Sequence, residues 1–254
     1  MNKIVKKEHF SANVVMLEIE APLIAKSRKA GHFVIVRVDE DGERMPLTIA
    51  DSDVARGTIT LVVQKMGVSS TKLCNLNVGD EVLDLVGPLG KATHIEKFGT
   101  VVCAGGGVGV APMLPIIKAM KEAGNKVISV LAGRTKDLII LEEQVREYSD
   151  EVVIMTDDGS YGNKGLITQG VEEVINREKV DMCVTIGPAV MMKFVSLLTK
   201  KYEIPTSTVW HYIRKYEEEN GKIIKNNNVE ASIDKLTYSA ENNDYTVKQV
   251  GNIS

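Results

Sequence analysis

The first part of the chain, up to about residue 97, carries short apolar, β-branched runs separated by turn residues. Short runs at such intervals are typical of strands in an antiparallel sandwich or closed barrel. The runs that predict strands are 14–21, 32–39, 58–66 and 80–88. Residues 69–76 break this pattern and predict a short helix.

From about residue 98 the pattern changes, and compact apolar runs alternate with amphipathic segments. The predicted strands are 100–104, 126–133, 151–158 and 182–188, and the predicted helices are 111–124, 138–148, 166–178 and 190–202. Strand and helix thus alternate four times. Near-continuous apolar strands that alternate with helices predict a parallel, doubly wound sheet whose strands are buried on both faces.

The hydrophobic pattern therefore predicts a β-barrel domain at 1–97, an α/β nucleotide-binding domain at 98–206, and a tail at 207–254. The tail is polar, has seven asparagines and shows weak periodicity, with only 211–219 resembling a helix. Such composition favours a poorly ordered segment. An added hairpin or a partner-binding segment is the alternative.

Composition narrows the classes of partner. Of the 254 residues 44% are hydrophobic, and the net charge of −3 leaves no basic surface for nucleic acid. No apolar run reaches about 18 residues, so no membrane span is expected. The charged N-terminus lacks the apolar segment of a signal peptide, which predicts a cytoplasmic protein.

Cysteine and histidine positions give no sign of a metal site. The three cysteines are widely spaced, without a CxxC pair, and the four histidines are scattered. Cys103 and Cys183 lie in apolar runs, where cysteine usually acts as a small buried hydrophobic residue.

The stretch VVCAGGGVGVAP, at 101–112, places four glycines, Gly105, Gly106, Gly107 and Gly109, between a strand and a helix. Glycine inside a helix or strand lowers stability by roughly 0.5–1 kcal/mol relative to alanine. A run of glycines therefore indicates that something approaches the backbone closely or that the backbone turns sharply. A pyrophosphate can approach such a loop and meet the N–H groups of the helix that follows. The run does not match GxGxxG, and a merely tight turn is the alternative.

Three further loops belong to the same edge of the predicted sheet. Arg134 follows the second strand and could pair with a 2′-phosphate or stack on adenine, or be a solvated loop charge. Asp157 and Asp158 follow the third strand as candidates for bonds to ribose or nicotinamide, or as turn formers. Gly187 and Pro188 repeat the strand–glycine–helix arrangement, and a plain turn is the alternative.

A barrel followed by GGGVGVAP, GRT, TDDGSYG and GPAVMMK resembles the ferredoxin–NADP reductase superfamily. Within it, the chain looks most like electron-transfer subunits of the dihydroorotate dehydrogenase type. The resemblance covers about residues 1–206. It implies a ferredoxin reductase-like fold, FAD bound between the two domains, and hydride transfer between NAD(H) or NADP(H) and the flavin.

The resemblance also assigns flavin-binding positions in ERMPLTIAD, at 43–51. Arg44 matches the arginine at the flavin phosphate, and Thr48 matches the hydroxyl near the reactive ring edge, which makes it the catalytic candidate. Pro46 and Leu47 lie between them as further cofactor contacts. The arginine stands four residues before the hydroxyl, one more than is usual in the family.

A second segment, KMGVSSTKL at 65–73, resembles the family's pyrophosphate loop. Gly67, Ser69, Ser70 and Thr71 are the candidates. Hydroxyls and N–H groups at a helix start suit an anion. The serines can also cap the short helix, and the two roles are compatible.

The resemblance implies NAD(P)H-linked electron transfer through FAD, as a subunit beside a larger flavin or iron–sulfur protein, with ferredoxin a possible partner. A free-standing diaphorase or flavin reductase is one alternative, and a non-catalytic assembly subunit is another. The resemblance favours NAD(H), but Arg134 leaves NADP(H) open.

The end of the chain departs from the family. Relatives carry a C-terminal [2Fe–2S] module with a dense cysteine motif, whereas no cysteine follows Cys183 here. Four thiolates are the usual ligands of such a cluster, so no iron–sulfur cluster is expected in this chain. Native divergence and an altered reading frame both remain open as explanations of the tail.

Overall fold

The computed structural model describes residues 2–207. The predictions of a poorly ordered tail and of a helix at 211–219 lie outside the described residues. Among the described helices, none has the length and apolar character that crossing a membrane requires.

Two antiparallel sheets form the first domain. One has the order β1-β2-β6-β5 and the other the order β4-β3-β7. The strands are β1 (Ile4–His9), β2 (Val14–Glu20), β3 (Phe33–Arg37), β4 (Met45–Thr48), β5 (Asp51–Asp53), β6 (Thr58–Gln64) and β7 (Asp84–Leu89), and the helices are α1 (Pro22–Ser27) and α2 (Val68–Asn75).

The chain passes directly from one sheet to the other between β4 and β5. The N–H of Ile49 donates to the carbonyl of His32 at 3.1 Å, and that of Ala50 donates to the carbonyl of Thr60 at 2.9 Å. Consecutive residues thus bond to the residue before β3 and to β6, which belong to different sheets, and this joins the sheets into a barrel around a core of buried aliphatic side chains. The predicted β-barrel is confirmed.

The second domain is a five-stranded parallel sheet of order β11-β10-β9-β8-β12. Its strands are β8 (Thr100–Gly106), β9 (Lys126–Gly133), β10 (Glu151–Thr156), β11 (Asn163–Lys164) and β12 (Met182–Ile186), and its helices are α3 (Val110–Glu122), α4 (Glu142–Tyr148), α5 (Ile167–Arg177) and α6 (Ala189–Lys201). Helix α3 packs with α4, and α5 packs with α6. A buried core lies on each face of the sheet. The predicted doubly wound sheet is confirmed.

The position of β8 determines where a ligand crevice can form. The chain leaves β8 toward β9 on one side and returns to β12 on the other. The loops β8–α3 and β12–α6 therefore flank the topological switch point, where ligands of doubly wound folds bind.

Some strands of the barrel were missed by the sequence analysis, and one was misplaced. β1, β4 and β5 have six, four and three residues and few β-branched side chains. β7 begins at Asp84 rather than at residue 80. Asp80 forms a turn instead, because its carboxylate accepts a bond from the N–H of Asn77 at 2.7 Å.

Helix α4 begins four residues later than predicted, at Glu142 rather than 138. Ile140 and Leu141 are buried in the core, and Leu141 has a left-handed backbone with φ of 57°. These apolar residues are buried although they lie before the helix. The prediction, which relied on apolar content, therefore started the helix too early.

The segment between β7 and β8 contains the predicted domain boundary at 97/98. Buried Asn125 anchors this segment: its Oδ1 accepts bonds from the N–H groups of Phe98 at 2.7 Å and Gly99 at 3.0 Å. Its Nδ2 donates to the carbonyl of Glu96 at 2.9 Å. One amide side chain thus fixes the entry of the chain into β8.

Candidate functional site

Three of the four glycines at the end of β8 and in the turn that follows make room for neighbouring parts of the same domain. A Cβ at Gly109 would lie 2.5 Å from the carbonyl oxygen of Ile186. A Cβ at Gly105 would lie 2.3 Å from Met113, and one at Gly106 would lie 2.4 Å from Met191. These glycines let the β8–α3 loop pack against α3, α6 and the β12–α6 loop.

Gly107 differs from the other three. Its φ is +55°, and a Cβ built on it meets no atom within 4 Å. Gly107 opens a short 3₁₀ turn that leads directly into α3. The backbone is therefore bare, left-handed and directed at open space at the start of a helix, which fits the approach of a phosphate group.

Gly187 lies against the glycine loop across the switch point. A Cβ at Gly187 would be 3.2 Å from the N atom of Gly106 and 2.6 Å from Met191. Pro188 follows as the exposed N-cap residue of α6. The structure thus brings Gly187 and Pro188 together with the first glycine loop, as their positions at the same sheet edge predict.

Backbone hydrogen bonds connect the loop after β9 to the loop after β10. The N–H of Asp157 donates to the carbonyl of Gly133 at 3.2 Å, and that of Asp158 donates to the carbonyl of Arg134 at 3.2 Å. The side chains of Arg134 and Asp157 are exposed. In the described part of the chain, neither side chain has a recorded hydrogen bond or ion pair, so both remain available to a ligand.

Asp158 acts as a turn former. Its Oδ1 accepts a bond from the N–H of Ser160 at 2.9 Å, and hydrogen bonds from Ser160 hold the pKa of Asp158 below its usual value. Gly159 between them has φ of +78°. The Ser160 hydroxyl also accepts a bond from the N–H of Lys136 at 2.9 Å. This is a further hydrogen bond between the two loops, and it was not predicted from the sequence.

The start of α2 in the barrel domain is the second open helix end. A Cβ at its N-cap, Gly67, would meet no atom within 4 Å. The Ser70 hydroxyl accepts bonds from the N–H groups of Met66 at 2.9 Å and Gly67 at 3.0 Å, so Ser70 caps the helix. The first intrahelical bond is donated by Thr71 to the carbonyl of Gly67. The N–H groups of 68–70 therefore have no intrahelical acceptor and suit an anion.

A side-chain bond brings the two segments predicted to bind flavin together. Ser69 is buried, and its hydroxyl donates to the carboxylate of Glu43 at 3.1 Å. Glu43 precedes Arg44, so the start of α2 lies beside the loop that leads into β4. The sequence analysis missed Glu43, because a surface acidic residue in a loop carries no pattern of its own.

Arg44 and Thr48 lie at opposite ends of β4. The Arg44 side chain is 63% exposed and its guanidinium is 3.5 Å from Asp84, a weak contact that leaves it free to turn toward an anion. Thr48 ends the strand opposite Phe33 and has no recorded side-chain partner within residues 2–207. Pro46 is exposed and Leu47 half-buried between them.

The three cysteines lie inside the domains. All are free and buried, and burial raises the pKa of the Cys183 thiol to about 12. Burial also raises the pKa of Cys103 and Cys74. Among residues 2–207, no group of three or more His, Cys, Asp or Glu side chains is arranged to hold a metal ion.

Comparison with known proteins assigns both domains. The oxidoreductase FAD-binding domain family matches residues 2–94, and the oxidoreductase NAD-binding domain family matches residues 103–197. The chain is 42% identical over 205 residues to a dihydroorotate dehydrogenase B electron transfer subunit homologue of Thermotoga maritima, covering 81% of this chain and 72% of that one. The chain belongs to the family of dihydroorotate dehydrogenase B electron transfer subunits and their homologues.

Other members of this family and its structural neighbours agree. The electron transfer subunit of Streptococcus pneumoniae is 31% identical over 199 residues, which covers 76% of each chain. A chain of the NADH-dependent reduced ferredoxin–NADP oxidoreductase structure aligns with a TM-score of 0.77 at 40% identity, over 81% of this chain and 74% of that one. The cytochrome b5 reductase domain of Ulva prolifera nitrate reductase, at 20% identity and a TM-score of 0.61, shares the fold.

These relationships confirm the predicted fold, family and cofactors. The protein is an oxidoreductase of the ferredoxin reductase-like fold with an FAD-binding and an NAD-binding domain. Family members are electron transfer subunits, which confirms the predicted electron-transfer function.

Proposed function

We propose that this chain takes electrons from NAD(P)H onto FAD and passes them to a partner redox protein, as an NAD(P)H-dependent flavin oxidoreductase of the ferredoxin–NAD(P) reductase type. The observation that carries this proposal is the pair of open helix starts. One lies at Gly67 in the FAD-binding domain and the other at Gly107 in the NAD-binding domain. Each presents backbone N–H groups at the positive end of a helix to a pyrophosphate.

In the barrel domain, the start of α2 holds the flavin pyrophosphate. The N–H groups that follow Gly67 and the hydroxyl of Thr71 contact the phosphate oxygens. Ser70 stabilises the helix start by accepting hydrogen bonds from the N–H groups of Met66 and Gly67. Ser69 joins the helix to the loop before β4, and Arg44 turns toward the phosphate charge.

In the proposed FAD site, strand β4 lies beside the flavin ring. Pro46 and Leu47 line the path along the strand, and the Thr48 hydroxyl contacts the reactive edge of the ring. The absence of any recorded partner for this hydroxyl within residues 2–207 supports its assignment to the cofactor. Thr48 orients the ring and supplies a hydrogen bond, without acting as an acid or base.

In the nucleotide-binding domain, Gly107 and the start of α3 hold the nicotinamide nucleotide's pyrophosphate, beside Gly187 and Pro188. Arg134 and Asp157 lie farther along the same edge for the adenosine half. We favour NAD(H), because the uncommitted Asp157 carboxylate can accept bonds from ribose hydroxyls and would repel a 2′-phosphate. Arg134 stacks on the adenine in this arrangement.

FAD, when bound, supplies the hydride acceptor, and the nicotinamide supplies the hydride. The contribution of the chain is to align the two and to exclude water from the space between them. No side chain of the proposed site is needed to gain or lose a proton during this step.

Electrons leave through a partner chain. Relatives are electron transfer subunits, which supports a larger flavin or iron–sulfur subunit as the acceptor, and the ferredoxin–NADP oxidoreductase neighbour supports ferredoxin as another. The absence of cysteine after Cys183 means that the transfer does not use a cluster held by cysteines of the tail. The cytoplasmic location stays a prediction from the sequence.

The absorbance spectrum of the purified chain tests this function. We expect a flavin spectrum that bleaches when NADH is added without oxygen. A colourless protein that does not take up FAD contradicts the proposal, and a yellow protein that NADH cannot bleach supports an assembly role. Co-purification of a second redox chain separates an electron-transfer subunit from a free-standing diaphorase.

A further inference from the structure

A group of charged side chains that is not assigned to a cofactor joins the two domains. Arg28 Nη2 donates to Asp51 Oδ1 at 3.1 Å, and Lys118 Nζ donates to Asp51 Oδ2 at 2.7 Å. The N–H of Ser52 also donates to Oδ1 at 2.9 Å. Both carboxylate oxygens are thus occupied, and we call Arg28, Asp51 and Lys118 the Asp51 bridge.

The two cations of the bridge are largely shielded from solvent, whereas the Asp51 side chain is 36% exposed. The side chains of Arg28 and Lys118 are 14% and 20% exposed, and Lys118 Nζ lies 4.8 Å from the centre of the Tyr148 ring. Burial lowers the pKa of Arg28, and the Asp51 carboxylate partly offsets this. Charge-assisted hydrogen bonds in such surroundings are strong and directional.

The contact around the bridge is apolar. Val14 and Ala50 of the barrel domain belong to the core of the nucleotide-binding domain, and Phe10, Val62 and Ile95 pack against the same core. Apolar contacts have no preferred direction and hold the domains together. The Asp51 bridge adds directional hydrogen bonds to this apolar contact.

Two members of the bridge, Asp51 and Lys118, are connected through hydrogen-bonded backbone to proposed cofactor contacts. Asp51 lies three residues after Thr48, and the backbone N–H groups of Ile49 and Ala50 between them are both hydrogen-bonded. Lys118 lies on α3, the helix that begins just after Gly107. The bridge therefore links the strand that ends at Thr48 to the helix that starts at the glycine loop.

We propose that the Asp51 bridge sets the angle of the nucleotide-binding domain on the barrel, and thereby the alignment of the nicotinamide with the flavin. Asp51 and Lys118 are positioning residues in this assignment, which rests on the proposed function. Alignment matters because a displacement of about 1 Å in the reacting groups can slow a reaction about 100-fold.

The first test measures flavin reduction by NADH in the holoprotein. Lys118→Met should lower the rate constant at saturating NADH about 10- to 100-fold. Flavin content and the Kd for NADH should stay unchanged, because neither binding contact is altered. Lys118→Arg keeps a donor for Asp51 and should restore most of the rate.

Lys121→Met is the matched control. Lys121 lies on the same helix and donates to Asp150 at 2.6 Å, but this ion pair stays within the nucleotide-binding domain. Its loss should leave the rate constant unchanged. The double variant Asp51→Asn with Lys118→Met should be no slower than Lys118→Met alone, because both act through one contact.

The second test measures domain geometry without turnover. Spin labels are placed at exposed positions by Glu40→Cys and Glu143→Cys, and the three buried native cysteines should stay unlabelled. We expect the interlabel distance distribution to broaden or shift with Lys118→Met and to stay unchanged with Lys121→Met.

The outcomes separate this inference from the proposed function. Unchanged rate and distances in Lys118→Met overturn the bridge while the function stands, and an equal loss in Lys121→Met overturns it as well. Wild-type protein that binds FAD but is not reduced by NADH overturns the proposed function and the inference together.

Discussion

Each domain has one open helix start that is suited to an anion, but the two starts are built from different groups. The start of α2 uses side chains: Ser70 caps it, Ser69 bonds to Glu43, and Arg44 lies nearby. The start of α3 uses bare backbone after a run of glycines. Both present backbone N–H groups at the positive end of a helix, which gives an anion the same kind of partner.

The difference follows from what surrounds each helix. The α3 start lies at the switch point of a buried parallel sheet, where Gly109 already approaches the backbone of Ile186. A side chain does not fit at Gly105, Gly106 or Gly109, and only Gly107 faces open space. The α2 start lies on the barrel surface, where Gly67 has open space around it and hydroxyl side chains fit easily. Crowding by the chain itself therefore explains three of the four glycines before α3, whereas Gly107 is explained by its positive φ.

The largest effect on stability should come from adding one methyl group at Gly109. Gly109→Ala places a Cβ 2.5 Å from the Ile186 carbonyl oxygen. Overpacking of this kind costs about 1–3 kcal/mol of unfolding free energy, which thermal or urea unfolding would measure.

Gly67→Ala is the matched comparison. Its Cβ meets nothing within 4 Å and its φ of −155° suits alanine. Stability should stay within about 1 kcal/mol of wild type, while FAD affinity falls because the methyl group fills the ligand's space. Equal stability losses in both variants would contradict the contrast drawn between the two helix starts.

Gly107→Val should abolish NADH binding while FAD stays bound. Valine fills the open space before α3, and the φ of +55° adds backbone strain of about 1–2 kcal/mol. Titration with NADH, read by flavin absorbance, measures the loss. Gly124→Val is the control, because Gly124 also has a positive φ but lies at the other end of α3. NADH binding that survives in Gly107→Val would remove this glycine from the site.

Arg44→Ala should weaken FAD retention. A charge-assisted contact to phosphate is worth about 1.5–3 kcal/mol, or about 10- to 100-fold in affinity. Equilibrium dialysis of the flavin measures this. Arg37→Ala serves as the control, because Arg37 also pairs with Asp84, at 2.6 Å, but is not assigned to the flavin. Equal flavin loss in both variants would mean that Asp84, rather than the phosphate, is the important partner.

Thr48→Ala should slow flavin reduction without releasing the flavin. One hydrogen bond of about 0.5–1.5 kcal/mol corresponds to a change of about twofold to tenfold. Rapid-mixing absorbance gives the rate constant, and Thr48→Ser should restore it. Flavin loss that matches the rate loss would place the hydroxyl at a binding contact instead of the ring edge.

The smallest effect is expected at Arg134. Stacking of an exposed guanidinium on a ring contributes about 0.5–1 kcal/mol, so Arg134→Ala should change the Kd for NADH by less than about sixfold. A tenfold or larger loss confined to NADPH would show that Arg134 binds a 2′-phosphate. Parallel titrations with NADH and NADPH distinguish these results.

How far the sequence predicts the structure differs between the two domains. In the second domain, apolar strands such as β8 and β9 are continuous buried runs, and their periodicity marks them clearly. In the barrel, β4 and β5 are held by pairing with distant strands rather than by their own composition. Pairing partners far along the chain leave no local pattern, so these strands were missed.

The sequence by itself determined the two-domain order, the parallel sheet and the family, and it supplied the segments that we propose to face the cofactors. Those features depend on local periodicity, on glycine and hydroxyl positions, and on motif order. The tertiary structure alone decided that Gly107 faces open space while Gly105, Gly106 and Gly109 serve packing.

Tertiary structure alone also decided that Asp51 meets Lys118, 67 residues away along the chain. Contacts between distant residues form when whole elements pack, and the angle of packing is a property of the assembled domains. A sequence pattern predicts which face of a helix is apolar. It does not predict which charged side chain of the other domain lies beside that helix.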